Sequence, residues 1–297
     1  MRFPLYIAKR YLFAKSSNNT INIITIIASF GVIIGTLALF IILSGFSGFR
    51  TFTHSLLDVS DPDIKITATE GKSFFYSDKI DTAITSNTAI EGAAKIIEER
   101  VFLQYKQKDL IAYVKGVSQN YTSITNIDST LAVGQWLDHN YTNTAVIGSG
   151  ISSKLSLGIL NFGTPLEVSV PKPGKGLILS KNTAINTVET QIVGVYSGAE
   201  EFANTYVFVN IDLARTLLDY KENQLTMLEL KLTENADEDA VSKALQNALG
   251  DAFTVQTRAQ FNALTYKVLN TESLISYLIF TLIIIIAMFN VIGAIIM

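Results

Sequence analysis

The chain has 297 residues, 48% of them hydrophobic and only 16% charged, with 23 Lys+Arg against 26 Asp+Glu. That mildly acidic balance, a formal net charge of -3, argues against a nucleic-acid partner, which calls for a concentrated basic surface. The absence of cysteine excludes disulfides and thiolate metal ligands.

Charge is distributed unevenly along the chain. Ser16–Phe49 carries none, and Ile21–Leu43 is nearly all Ile, Leu, Val, Phe, Ala, Gly and Thr. Ser273–Met297 is uncharged again, with Leu282–Ala287 purely aliphatic. Each run predicts a helix of about 35 Å, enough to cross a hydrocarbon core of about 30 Å. Length disfavours a cleaved signal peptide for the first run, because a signal h-region holds only about 7–15 residues. Arg2, Lys9, Arg10 and Lys15 precede that run, so the positive-inside rule predicts a cytoplasmic N-terminus and places 45–271 on the far side. No Lys or Arg follows the second run, and the sequence is therefore expected to be part of a longer one.

The predicted elements, in chain order, begin with Phe3–Lys15. Its apolar Leu5, Tyr6, Leu12 and Phe13 fit either an amphipathic helix on the inner leaflet or a plain basic flank. Asn18, Asn19 and Thr20 are plausible caps for the first span, assigned to 20–44 after a cytoplasmic segment 1–19. Within that span Ala28, Gly31, Gly35 and Ala38 recur at spacings of three and four, and Gly31/Gly35 form a small-xxx-small pair for helix packing. The span is expected to continue as a stalk through Phe46–Leu57.

The outer segment 45–271 reads as mixed α/β. Strands are predicted at Asp63–Thr69, at Val101–Tyr105 and Leu110–Val117 as a hairpin across Lys106–Asp109, and at Pro165–Val170, Gln191–Val195 and Tyr206–Asn210. Ile147–Leu157 reads as a turn and short helix, and Ile211–Tyr220 as a helix. Then come a strand at Leu225–Leu232, a helix at Asp237–Leu249 and a strand at Ala252–Gln256, a tail that predicts helices packed on one face of a sheet. Pro171, Lys172, Pro173, Gly174, Lys175, Gly176, Leu177 and Lys181 lie in a loop that composition alone assigns to an ordinary surface hairpin. From Arg258 no Gly or Pro intervenes until Gly293, which predicts one unbroken helix of about 60 Å into the second span, 272–297. Asn290 is the polar residue deep in that span and is read as a helix-packing contact.

Catalytic motifs are missing from the sequence. His54 and His139 do not form H-E-x-x-H, no G-x-S-x-G occurs, and no G-x-x-x-x-G-K-[ST] phosphate loop is present. Glu98–Glu99 and Glu200–Glu201, adjacent in sequence, suit solvated loops better than acid–base work. The chain reads as a non-enzyme with no cofactor of its own.

The ends of the sequence resemble the lipoprotein-releasing ABC transporter permeases, the LolC/LolE family of FtsX-like permeases. The resemblance rests on Arg10-Tyr11-Leu12, Ser29, Gly31, Gly35, Ser44 and Gly48-Phe49 in the first stretch. Phe289-Asn290-Val291 and Ile296-Met297 carry it in the second. Between them it continues through Ile147-Gly148, Leu155 to Gly158, Leu166–Val170, Tyr206–Leu218 and Gln256–Phe261. Pro62-Asp63 departs from the Pro-His of many members. The resemblance implies a four-span permease with a MacB-like periplasmic core, an inserted β-rich lobe around 117–186, and residence in the cell inner membrane. It further implies a separate cytoplasmic ATPase subunit that hydrolyses ATP, a second permease, lipoprotein and membrane lipid as ligands, and a periplasmic lipoprotein chaperone held by the Pro171–Lys181 loop. Leu43, Phe46, Phe49, Ile275 and Leu278 are then expected to line the lipoprotein cavity. A MacB-like efflux or FtsX-like cell-division permease shares the fold and stays open as an alternative, as does a two-span membrane sensor.

Overall fold

The computed structural model describes residues 3–4, 6–7, 10, 19–159, 164–172 and 184–296. They divide into two compact units, Met1–Thr53 with Leu264–Met297, and His54–Ala263.

Helix α1 (Asn19–Ser60) runs for 42 residues, about 63 Å at the usual rise. The expected stalk is present as the same unbroken helix. The hydroxyls of Thr36, Thr51 and Thr53 donate to the carbonyls four residues earlier, at 2.8–3.0 Å, so these polar groups find partners inside the helix. The helix ends before Pro62, whose ring disfavours helical backbone at Asp61.

The second unit is built on strands β1 (Ile64–Ala68), β2 (Phe74–Phe75), β3 (Ile90–Tyr105), β4 (Lys108–Val117), β5 (Leu131–Gly134) and β6 (Thr144–Gly148). They are followed by β7 (Leu166–Pro171), β8 (Ile185–Tyr196), β9 (Tyr206–Asn210), β10 (Gln224–Leu225), β11 (Met227–Leu232) and β12 (Phe253–Thr257). Ten of them form one sheet in the order β12-β1-β11-β3-β4-β9-β6-β8-β5, and β7 bridges β3 and β8. Because β7 pairs with both, the ladders β3-β4-β9-β6-β8-β7-β3 close on themselves into a six-stranded ring. The segment expected as an inserted β-rich lobe thus contributes β5, β6 and β7 to the main sheet, because β3 is long enough to pair with β11 at one end and β7 at the other.

Helices cover both faces of this sheet. On one lie α2 (Asp78–Thr85), α4 (Ser149–Leu155), α6 (Ile211–Leu218) and α7 (Glu238–Leu249), which bury Ile80, Ile84, Ile151, Leu155, Leu213, Leu217, Leu245 and Leu249 into the larger core. The other is covered by α3 (Tyr121–Ile124), a 3-10 turn at Ile127–Thr130 and α5 (Glu200–Ala203), over a smaller core rich in aromatics. The expectation of helices on one face accounts for the sequence tail alone. Double coverage explains why β9 reads as a continuous apolar run, Tyr206-Val-Phe-Val, rather than alternating. Helix α6 packs against β3, β4, β7, β8 and β9, and comes so close to β4 that a Cβ at Gly116 would sit 2.4 Å from Ala214 Cβ.

Helix α8 (Arg258–Phe261) opens on a capping box between Thr257 and Gln260, and helix α9 (Ala263–Ile296) follows. The predicted unbroken helix from Arg258 is therefore interrupted at Asn262 (φ -100°, ψ 28°), where the backbone leaves helical geometry without Gly or Pro. Its amide side chain is taken by Asp61 Oδ2 at 2.6 Å.

Candidate functional site: an apolar groove along two long helices

Both long helices are apolar for the length of a bilayer, Ser29–Thr53 in α1 and Ala263–Phe289 in α9. Their outward side chains are bare: Ile26, Ile33, Leu37 and Phe40 on one, and Leu274, Leu278, Leu282 and Met288 on the other, are each more than half exposed. A soluble core helix would bury such residues; their exposure over a bilayer length suits a hydrocarbon surrounding.

The two helices run antiparallel within their unit. Gly35 faces Ile283, whose Cγ2 would lie 3.6 Å from an added Cβ, while further along Leu43–Arg50 meets Leu269–Phe280. Gly35 is thus a packing position, whereas Gly31 is exposed and the side chain of Asn290 lies outside the described residues. Toward the C-terminal half of α1 the helices frame a cavity of about 400 Å³ lined by Leu43, Phe46, Ser47, Arg50, Tyr277 and Phe280, among others. An adjoining cavity of about 550 Å³ is lined by Phe46, Phe49, Leu264, Lys267, Val268, Thr271 and Ile275. Of the five residues picked from the sequence, Leu43, Phe46, Phe49 and Ile275 meet at this pair of cavities; Leu278 is exposed and lines neither. Sequence reasoning missed Tyr277, Phe280 and Arg50. The signal for Arg50 was available, since it is the only charge between Lys15 and Asp58.

Of the proposed chaperone loop, Pro171 and Lys172 are described, Pro171 as the exposed end of β7 and Lys172 donating its amide to Ala184 O at 2.8 Å. Pro173, Gly174, Lys175, Gly176, Leu177 and Lys181 lie outside the described residues.

Where α1 ends and α8 begins, the second unit carries a polar joint. Arg258 Nη2 lies 2.7 Å from Asp63 Oδ1 and donates to Asp61 O at 3.2 Å, while Arg258 Nε donates to Pro62 O at 3.3 Å. Asp63 Oδ2 accepts from Leu232 N at 2.7 Å, which ties the same carboxylate to β11. Asp63, the position that departs from the family pattern, is therefore the centre of this joint.

A buried charge pair lies on the aromatic face. Lys115 Nζ of β4 and Glu229 Oε1 of β11 are 2.8 Å apart, with side chains 3% and 0% exposed. Burial alone would pull the Lys115 pKa down; Glu229, with Tyr121 and Glu98, outweighs it, and the ammonium is held well above its ordinary value. Glu98 stands directly across from Lys115 in the β3/β4 ladder, and burial pushes its carboxyl above the usual range against the pull of Lys115 and Lys65. Burial likewise raises Tyr121, Tyr196 and Tyr206. The reading of Glu98–Glu99 as a solvated loop is corrected: both lie mid-strand in β3, and Glu99 pairs with Lys72 at 2.9 Å. Among the described residues no group of three or more His, Cys, Asp or Glu could hold a metal ion.

The profile of the MacB-like periplasmic core domain matches residues 25–248. The chain belongs to that family. Over 302 residues the family member is 21% identical to the lipoprotein-releasing system transmembrane protein LolE of Haemophilus influenzae, covering 100% of this chain and 71% of that protein. It is 26% identical to LolC of Neisseria meningitidis serogroup B, over 98% of this chain and 69% of that one. Among solved structures, the periplasmic region of MacB from Actinobacillus actinomycetemcomitans superposes with a TM-score of 0.46 at 10% identity, covering 68% of this chain and 92% of that one. The extracellular domain of the ABC-type transporter YknZ from Gram-positive bacteria gives 0.43 at 12%, over 65% and 99%. The MacB-like chain is accordingly a membrane permease of the ABC transporter class, similar to LolE and LolC, with apolar helices on either side of a mixed α/β domain.

Proposed function

We propose that this chain is the permease subunit that extracts lipoproteins from the inner membrane and passes them to a periplasmic chaperone, driven by a separate ATPase subunit. The observation that carries the reading is the apolar groove: Leu43, Phe46, Phe49, Tyr277 and Phe280 line adjoining cavities along two bilayer-length helices. Such a groove suits the acyl chains of a protein-linked lipid, because apolar burial is non-directional and accepts chains of any register. The continuity of α1 from Asn19 to Ser60 supports mechanical coupling, since a helix without a break transmits displacement along its axis. The relatives named for lipoprotein release support the cargo class.

The test is depletion of the full-length protein in its host, followed by separation of inner and outer membranes. Lipoproteins stranded in the inner membrane are the expected result. Normal sorting, with no redundant copy present, overturns the cargo and moves the assignment to an efflux or cell-division permease with the same fold.

A further inference from the structure

We propose that the groove between α1 and α9 also holds a phospholipid with an anionic headgroup, its phosphate seated on Arg50 and Lys267 and its acyl chains against Phe46, Phe49 and Ile275. This rests on the same groove as the proposed function but asks for a different ligand.

The antiparallel register carries the argument. Gly35 meets Ile283, and the cavities pair Leu43–Arg50 with Leu269–Phe280, so Arg50 and Lys267 fall at one level at the same end of the two spans. Each lines one of two adjoining cavities that share Phe46. Both cavities are otherwise mostly apolar, with Ser47, Ser276 and Thr271 as the small polar groups. Among the described residues neither cation has an acidic side-chain partner. The nearest acidic residues in sequence are Asp58, eight positions from Arg50, and Glu272, five from Lys267.

Two cations at one level, flanking an apolar slot and without an acidic partner among the described residues, complement a phosphodiester above acyl chains. Long basic side chains at helix ends reach for the interface, where phosphate sits. A diacylglyceryl anchor on a protein carries no phosphate and has no use for two cations. Anionic phospholipid therefore occupies the slot in the absence of cargo and must leave before cargo enters.

Native mass spectrometry of the purified full chain in detergent tests this, with dioleoylphosphatidylglycerol, dioleoylphosphatidylcholine and dioleoylglycerol as probes of identical acyl content. Phosphatidylglycerol is expected to be retained most strongly. Arg50→Gln and Lys267→Gln should each weaken its retention about fivefold and together about 25-fold, the scale of one juxtamembrane basic residue on an anionic lipid surface. Arg50→Lys should restore most of the loss, which separates charge from misfolding. Equal retention of phosphatidylglycerol and dioleoylglycerol, or unchanged retention by the double variant, overturns the proposal. A photocrosslink from position 46 to lipoprotein separates the two readings. If it persists while phosphatidylglycerol shows no preference, only the phospholipid proposal falls; if it is absent while phosphatidylglycerol binds as expected, the cargo assignment falls instead.

Discussion

The two units of this chain handle polarity in opposite ways. The His54–Ala263 unit buries Lys115 and Glu229 completely and pairs them at 2.8 Å inside a doubly covered sheet. The helical unit leaves large aliphatic side chains bare and keeps two of its cations, Arg50 and Lys267, at the edge of an apolar slot. In the first, water is excluded by protein, so every buried charge must find a protein partner. In the second, the apolar surface suits hydrocarbon, and a basic side chain is tolerated there where it reaches the interface. The same residue types are therefore paired inside the fold in one unit and line apolar cavities in the other.

Breaking the buried pair should give the largest effect on stability. Lys115→Met leaves the buried Glu229 without its paired ammonium, with Lys65 across the β1/β11 ladder as the next cation, and should destabilise the α/β unit by about 3–5 kcal/mol. The double change Lys115→Met/Glu229→Leu should recover most of that loss, since removing both charges also removes their desolvation cost. Denaturant unfolding of the full chain, followed by Trp136 fluorescence, reads both; Trp136 packs against Phe208 at 5.1 Å beside this cluster. Equal destabilisation by the single and double changes would show that the site is sensitive to shape and not to charge.

In the helical unit the corresponding break is Phe46→Asp, which places a carboxylate where both cavities meet. Lipoprotein release should fall about tenfold or more, because a charge in an apolar membrane-facing site strongly disfavours acyl chains. The unfolding midpoint of the outer unit should not move, and a shift there would mean that the two effects are not separable. Arg258→Ala acts between these extremes. It removes the charge-assisted contact to Asp63 and the hydrogen bonds to the carbonyls at the end of α1, and should cost about 1.5–3 kcal/mol.

Much of this was legible in the residues themselves. The two spans were, because a charge-free run of helix length, apolar on every face, fits a bilayer far better than a soluble core. So were β9, α6 and α7, whose apolar spacing matches their burial. Ring closure was not legible, since pairing of β7 with β3 joins residues more than 60 positions apart with no local signal. The helix break at Asn262 escaped for a related reason. Its side-chain partner, Asp61, is distant in sequence, and the local residues there carry no breaker. Of the groove, the apolar lining on α1 was visible, whereas Tyr277, Phe280 and the paired level of Arg50 and Lys267 emerge only from the antiparallel register. Glu98 was misjudged because two adjacent glutamates look solvated until strand alternation sends them to opposite faces.

That alternation leads to the smallest and most discriminating change, Glu98→Gln. Glu98 is an acid whose folded pKa is raised above its ordinary value, with burial as the leading cause. The ionised form is therefore the less stable one in the fold, despite Lys115 directly across the ladder. At a pH above both the ordinary and the raised folded value, the folded and unfolded chains both carry the charge and the full penalty is present. As pH falls through the raised folded value toward the ordinary carboxylate value, the folded chain takes up its proton first and the penalty disappears. Glu98→Gln is thus expected to be slightly more stable than the parent at pH 7, by less than any effect above, and to lose that advantage on acidification. Unfolding curves at pH 7 and pH 5 measure it. A variant less stable than the parent at both values would mean that attraction to Lys115 outweighs burial, and that the outer unit relies on this second carboxylate as it does on Glu229.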